Sequence, residues 1–277
     1  MILFPCCKIN LGLNVVGVRP DGYHDIETVF YPVPLLDALE VAEMDAKFPS
    51  HYDCDLKVTG NAVDCDEQKN LVVKAYQLLR QHYPIPRAHI HLHKRIPSQA
   101  GLGGGSSDAA YTLRLLNAQF CMGLSDDALR QMAARLGADC PFFIGDGAAY
   151  ATGIGDQLSP MDAKILVGYW LAIVKPDVSI STAEAYAGVT VEKPAKNCRD
   201  IVRQDIATWR NELTNSFEPS VYDRHPRLRE IKDHLYRMGA LYAQMSGSGS
   251  AHFGIFREEP LHLADEFPDD FVFACPL

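Results

Sequence analysis

Alternating apolar and polar positions mark the first third of the chain as strand-rich. Ile9 to Val18 alternates and ends in RPDGYH, a Pro-Asp-Gly turn. Thr28 to Val33 is β-branched and aromatic and stops near Pro32 and Pro34; Leu39 to Ala42 is a shorter strand. His89 to Ile96 alternates again, with His89, His91, His93 and Arg95 on one face and Ile90, Leu92, Lys94 and Ile96 on the other. Helical spacing appears in Asn70 to His82, through Leu71, Ala75, Leu78 and Leu79, and in Ala109 to Phe120, through Ala110, Leu113, Leu116 and Phe120. Ser125 to Leu136 carries its own signals: Ser125 as N-cap, two aspartates in the first turn, and Gly137 at the C′ position.

After Asp156 the pattern restarts. Ile165 to Val174 reads as a buried strand; helices follow at Thr182 to Tyr186, Asp200 to Asn215 and Arg227 to Met238, and HFGIF and FVFAC supply late strands. Mixed strands and helices in both halves give an α+β class, with a boundary near Pro160 that divides the chain into 1–158 and 159–277.

Composition narrows the field. The 277 residues are 47% hydrophobic, enough for a full core. A formal net charge of -9 argues against a general nucleic-acid binder, which needs many phosphate-neutralising cations. No apolar run approaches the roughly 18–20 residues of a membrane span, and MILFPCCKIN lacks a basic region followed by a long apolar one, so a cytoplasmic chain is expected. The eight cysteines form no C-x-x-C pair, and Cys6 and Cys7 are adjacent, so they read as thiols in a reducing compartment. The three histidines at 89, 91 and 93 lack a second ligand cluster and read as a mixed-polarity face; Asp265 to Asp270 reads as solvated surface.

The chemistry concentrates in three stretches. PSQAGLGGGSSDAA, Pro97 to Ala110, places four glycines and three serines between a strand and a helix. Glycine lets backbone approach a ligand, and the first amides of a helix lack internal partners at the positive end of the dipole, so anions such as phosphate bind there. No G-K-[ST] ending makes it a Walker loop, and Ser106 breaks the dinucleotide fingerprint that Gly101 and Gly103 begin. A tight packing turn is the plain alternative. KINLGLNVVGVRPDGYHDIETVF, Lys8 to Phe30, puts Lys8 and Asn10 on one side of a strand. MSGSGSAHFGIF, Met245 to Phe256, is another glycine–serine turn entering a strand.

Together, over essentially the whole chain, these stretches resemble the GHMP kinase superfamily of small-molecule kinases. K-I-N-L-G-L, R-x-D-G-Y-H-x-I-E-T-V-F and G-A-D-x-P-F-F (Gly137 to Phe143) narrow the resemblance to its branch acting on a cytidyl-diphospho-methylerythritol alcohol in non-mevalonate isoprenoid synthesis. Ser98-Gln99-Ala100 departs from that branch, where methionine and further glycines are usual. The resemblance implies a two-domain fold with the active site between the domains, and transfer of the ATP γ-phosphoryl group to the substrate's 2-hydroxyl. It implies Lys8 and Asp139 as the catalytic pair, Asp139 accepting the alcohol proton and Lys8 also steadying the transferring phosphoryl. For ATP it implies Asn70 and Leu71 near the adenine, Lys94 by the nucleotide, and Pro97, Ser98, Gln99, Ala100, Gly101, Leu102, Gly103, Gly104, Gly105, Ser106 and Ser107 around the phosphates. For the substrate it implies Tyr23 stacking on the cytosine, His24 bonding its edge, Tyr186 on the other side, and Asn10 and Thr182 near the diphosphate and alcohol. Magnesium follows from the reaction, without an assigned ligand; Ser106 or Ser107 is the option.

Three rivals carry their own discriminators. Another GHMP kinase, acting on homoserine, mevalonate or a sugar, lacks a use for Tyr23 and His24. A catalytically silent nucleotide-binding regulator has no need of both Lys8 and Asp139. A dinucleotide oxidoreductase would use Asp126 or Asp127 on the ribose, but these read as the first turn of a helix rather than a strand end.

Overall fold

The structure, a computed structural model, describes residues 1–61 and 65–277. In chain order its strands are β1 (Ile2–Leu3), β2 (Cys6–Val18), β3 (His24–Leu36), β4 (Ala38–Glu43), β5 (Cys54–Gly60), β6 (Ala88–Lys94), β7 (Ala149–Thr152), β8 (Gln157–Pro160), β9 (Trp170–Lys175), β10 (Tyr242–Met245), β11 (His252–Phe256) and β12 (Phe271–Pro276). Its helices are α1 (Leu71–His82), α2 (Gly104–Gln119), α3 (Asp126–Ala134), α4 (Thr182–Ala187), α5 (Cys198–Ile201), α6 (Ile206–Glu212), α7 (Glu218–Arg224), α8 (Pro226–Arg237) and α9 (Leu263–Glu266). None is long and apolar enough to cross a membrane among the described residues.

The chain forms two compact units, and neither is continuous. One comprises Met1–Cys7, Pro34–Ser98 and Gly103–Asp146; the other comprises Lys8–Val33, Gln99–Leu102 and Gly147–Leu277. The single cut expected between 158 and 159 is therefore replaced by an interleaved division. The reason is strand pairing: β2 and β3 share a sheet with β7 and β8, in the order β2-β3-β7-β8. Pro160, the expected boundary, sits opposite Ala149 inside the β7–β8 pair.

In the first unit the sheet order is β1-β4-β6-β5. β4 runs antiparallel to β6, and β5 runs parallel to it, so β5 and β6 need the crossover that α1 supplies. Leu39, Val41, Leu56, Ile90 and Leu92 are buried, while His89, His91 and His93 alternate onto the other face as the periodicity predicts. α1 and α2 pack on each other and on this sheet. Asn70 caps α1, accepting a bond from Val72 N–H at 2.9 Å.

The second unit has its own antiparallel sheet, β10-β11-β9-β12. Ala172, Val174, Ala243 and Met245 from it meet Leu228, Ile231 and Leu235 of α8 and Phe217 and Val221 in one core cluster. Its helices differ from the sequence expectation in one respect. The helix expected over Asp200 to Asn215 is broken into α5 and α6, because Asp205 caps a new start by accepting from Ala207 N–H at 2.9 Å. Likewise the strand expected from Ile165 begins only at Trp170, after a turn that Gly168 makes at φ +89°. Helix α3 ends at Ala134, and Gly137 is not among the residues at positive φ.

Candidate active site

The central glycine turn links β6 to α2 and changes unit twice along its length. Its middle, Gln99 to Leu102, is fastened within the second unit. Ala100 and Leu102 are buried, and their carbonyls accept from Ala251 N–H at 3.1 Å and Lys8 N–H at 2.9 Å. Gly101, at φ +73°, passes so close to the third glycine turn that a Cβ there would stand 1.9 Å from the Ser246 carbonyl oxygen. Only glycine fits. In this middle stretch the carbonyls of Ala100, Gly101 and Leu102 are spent on the protein.

A run of helix-head donors follows at 103–106. Gly103 takes the left-handed conformation at the N-cap of α2, at φ +70°, with no side-chain cap. The first internal helix bond is Ser107 N–H to Gly103 O at 2.9 Å. The amides of Gly103, Gly104, Gly105 and Ser106 thus have no acceptor among the described residues, at the positive end of a 16-residue helix. Ser107 Oγ is fully buried there, also without a hydrogen-bond partner. Leu71, at the start of α1, lies 3.9 Å from the position of a Cβ on Gly105, which brings Leu71 and the head of α2 together.

Lys94, which the resemblance sets by the nucleotide, already has anionic partners within the protein. It is 4% exposed, and its ammonium bonds Asp37 Oδ2 and, at 2.6 Å, Asp108 Oδ2. The other Asp37 oxygen accepts the N–H groups of Arg95 and Ile96, the latter at 2.8 Å. Burial pulls the lysine pKa down, but the two carboxylates outweigh it and the net direction is up. Two protein carboxylates, rather than a nucleotide, balance this charge.

Asp139 occupies the N-cap position of a short 3₁₀ turn, Cys140–Ile144, without a side-chain cap bond, so turn capping does not account for it. Beside it the Cys140 thiol is pushed up to about 12, chiefly by burial; a hydrogen bond to Ser106 opposes this and the Asp139 charge adds to it. That contact ties Asp139 to the first turn of α2.

In the second unit, Lys8 is 3% exposed and donates to Asn10 Oδ1 at 2.7 Å and Gly101 O at 2.9 Å, with its Nζ 5.1 Å from the Phe30 ring centre. The predicted shared side of Lys8 and Asn10 is therefore real. Asn10 donates in turn to Thr28 Oγ1 at 3.0 Å, and Ser246 Oγ joins Lys8 on the Gly101 carbonyl at 3.0 Å. Thr28, Ser246 and Asn215, which donates to the carbonyls of Met245 and Gly247, complete this network and escape sequence reasoning. A serine inside MSGSGS was the one readable signal among them.

His24 stacks on Tyr186 with ring centres 4.7 Å apart and planes at 28°, and Tyr186 meets Phe217 edge-on at 4.8 Å. Tyr23 is 61% exposed, at the tip of a turn where Asp21 Oδ1 accepts its N–H at 3.0 Å. Thr182 opens α4, exposed, one residue after the Ser181 cap.

Comparison with known proteins gives a consistent picture. Residues 70–147 match the GHMP kinases N terminal domain and residues 198–271 the GHMP kinases C terminal domain. The 4-diphosphocytidyl-2-C-methyl-D-erythritol kinase of Parabacteroides distasonis is 50% identical over 275 residues, covering 98% of each chain. That of Bacteroides fragilis is 47% identical over 280 residues, covering 100% of each. A crystal structure of 4-(cytidine 5'-diphospho)-2C-methyl-D-erythritol kinase superposes with a TM-score of 0.81 at 30% identity, over 99% of this chain and 98% of the other. Identity of that order along the full length of the relatives, with both matched domains in place, means that this chain belongs to the 4-diphosphocytidyl-2-C-methyl-D-erythritol kinase family of the GHMP kinases.

Proposed function

We propose that this chain transfers the γ-phosphoryl group of ATP to the 2-hydroxyl of 4-diphosphocytidyl-2-C-methyl-D-erythritol, a step in non-mevalonate isoprenoid precursor synthesis. The observation that carries it is the set of four unpaired amides at 103–106, at the head of α2. Such a set is an anion cradle, and it lies in a chain half-identical to kinases of that name.

Each residue then has a task. The amides of Gly103 to Ser106 hold the ATP phosphates, and Asn70 and Leu71 flank the adenine. Asp139 accepts the alcohol proton. In a loose phosphoryl-transfer transition state that proton leaves late, so a weak carboxylate base is sufficient. Lys8 offsets charge on the transferring phosphoryl, and its buried bonds to Asn10 and Gly101 fix the direction of its long side chain. Asn10 and Thr182 orient the substrate alcohol and diphosphate, while Tyr23, His24 and Tyr186 grip the cytosine.

The residues also fit a magnesium ion. No cluster of three acidic, histidine or cysteine side chains exists among the described residues, but Mg²⁺ takes most of its shell from phosphates and water. The unpartnered Ser107 hydroxyl, with Ser106 beside it, suits the remaining protein contact. When bound, the ion neutralises charge on the β- and γ-phosphates.

The test is a coupled ADP-release assay with the cytidyl substrate against mevalonate, homoserine and galactose. Turnover with the cytidyl substrate alone is expected. Equal rates on another alcohol, or ADP release with none, would overturn the assignment. Tyr23→Ala should raise the KM for the cytidyl substrate at least about tenfold, the scale of one lost stacking contact, and leave the KM for ATP near its wild-type value; equal rises in both would return Tyr23 to a packing role.

A further inference from the structure

The Lys94 cluster has no part in the chemistry above, yet it sits directly under the phosphate-facing turn. Its three members come from separate elements of one unit: Asp37 from the link between β3 and β4, Lys94 from the end of β6, and Asp108 from α2, just past its first turn. Asp37 holds the two amides that lead into the turn, those of Arg95 and Ile96. Asp108 immediately follows Ser107, where the turn has become helix. Lys94 joins the two carboxylates. The cluster therefore spans the glycine turn from below, tying its entry to its exit. Packing supports the same placement: a Cβ on Gly104 would stand 2.9 Å from Ile96 Cγ2 and 3.4 Å from Lys94 Nζ.

Stability alone is a poor reason for such a group. Buried ion pairs frequently do no better than apolar residues of equal volume, because desolvation offsets the attraction. This cluster is not even fully satisfied: Asp108 Oδ1 is buried with no hydrogen-bond partner. Burial pushes the Asp108 carboxyl up to about 7; Lys94 draws it down and Asp37 pushes it further up. What the arrangement does supply is fixed geometry, since charged hydrogen bonds are directional and short. We propose that Asp37, Lys94 and Asp108 are positioning residues for ATP: they set the spacing between the end of β6 and the head of α2, and so hold the amides of Gly103 to Ser106 convergent on one phosphate-sized point. This inference rests on the reading of those amides as the ATP cradle.

The experiment is calorimetric titration of the full chain with the non-hydrolysable analogue AMP-PNP and magnesium, well below the melting temperature of each variant, with steady-state KM values alongside. Asp108→Asn keeps an oxygen for the ammonium but removes the charge. It should weaken AMP-PNP binding at least about tenfold, a loss of one charged tether, and raise the KM for ATP while the KM for the cytidyl substrate stays within about twofold. Lys94→Met should weaken it comparably, and the double variant no further than the worse single one, since the residues act as a unit. If Asp108→Asn binds AMP-PNP as the wild type does, the clamp is wrong. If the two losses multiply in the double variant, Lys94 touches the nucleotide directly and the clamp is again wrong. Should Lys94→Met fail to fold, Asp108→Asn decides alone. A wild-type chain that binds no AMP-PNP would remove the cradle reading and the clamp with it, whereas normal wild-type binding with unaltered variants removes the clamp only.

Discussion

Two buried polar clusters brace two glycine turns in this molecule, and they do it with opposite electrostatics. Beneath the central turn, an ammonium lies between two carboxylates, all three nearly out of water. Beside the turn at Met245 to Ser250, the innermost contact is a neutral histidine–tyrosine pair. His252 is fully buried; its Nδ1 faces the Ser250 carbonyl at 3.1 Å, so that nitrogen carries the hydrogen, and its Nε2 accepts from the Tyr222 hydroxyl at 2.9 Å. Burial, aided by the Lys232 charge, lowers this imidazole to about 3, which keeps it uncharged. The turn it serves is held further by Asn215 on two carbonyls and by Glu218, which accepts Met245 N–H at 2.9 Å. A neutral brace loses one hydrogen bond when cut. A charged one leaves an unpaired ion behind.

Four outcomes break or sharpen that contrast. The largest concerns neither brace. Asp139→Asn, or Lys8→Ala, should lower kcat by about 10²- to 10⁴-fold, the usual worth of a positioned proton acceptor or charge; for Asp139→Asn the melting temperature should hardly move. A near-normal rate in Asp139→Asn would take the proton-accepting role away from it.

Next comes Lys94→Met, which strands two buried carboxylates and should cost about 3–5 kcal/mol in denaturant unfolding. Tyr222→Phe removes only the donor to His252 Nε2 and should cost about 1–3 kcal/mol, the desolvation of one unmet polar atom. Equal losses in the two variants would erase the distinction between charged and neutral bracing.

The pH dependence is the most diagnostic, because its sign differs between the braces. Asp108 has a folded pKa of about 7 against an ordinary 3.8, so the folded state holds its proton more tightly. Its stabilising contribution is complete below about 3.8 and is lost as pH rises toward 7. His252 has a folded pKa of about 3 against 6.5, so unfolding takes up a proton. Its contribution is complete above about 6.5 and is lost as pH falls toward 3. Melting curves between pH 4 and pH 8 should therefore show Asp108→Asn gaining on the wild type as pH rises, and His252→Asn gaining on it as pH falls. Parallel curves for wild type and variant would contradict the corresponding shift.

Legibility varied with how local each signal is. Ser125 read correctly as a helix cap because a cap bond spans only three residues. The shared side of Lys8 and Asn10 followed from the two-residue period of a strand. Lys94 fell correctly on the apolar face of its strand, but its nearer carboxylate partner is 14 positions on and the other 57 positions back. Asp37 had a faint signal, a lone acid inside PLLDAL. Strands β5, β7 and β8 lacked a clean alternation, and without them the interleaving of the two units was invisible.

The amino-acid sequence by itself determined the central glycine turn, the helix behind it, the lysine–asparagine pair on β2 and, through its motifs, the kinase family. Those features depend on backbone freedom, period and capping, which act over a few residues. Only the tertiary structure decided that Lys94 pairs with two aspartates, that Gly101 must lack a side chain because Ser246 lies against it, and that residues 8–33 pack with the far half of the chain. Each of those depends on which strands become neighbours, and pairing between distant segments is settled by the burial of whole faces rather than by any short run of residues.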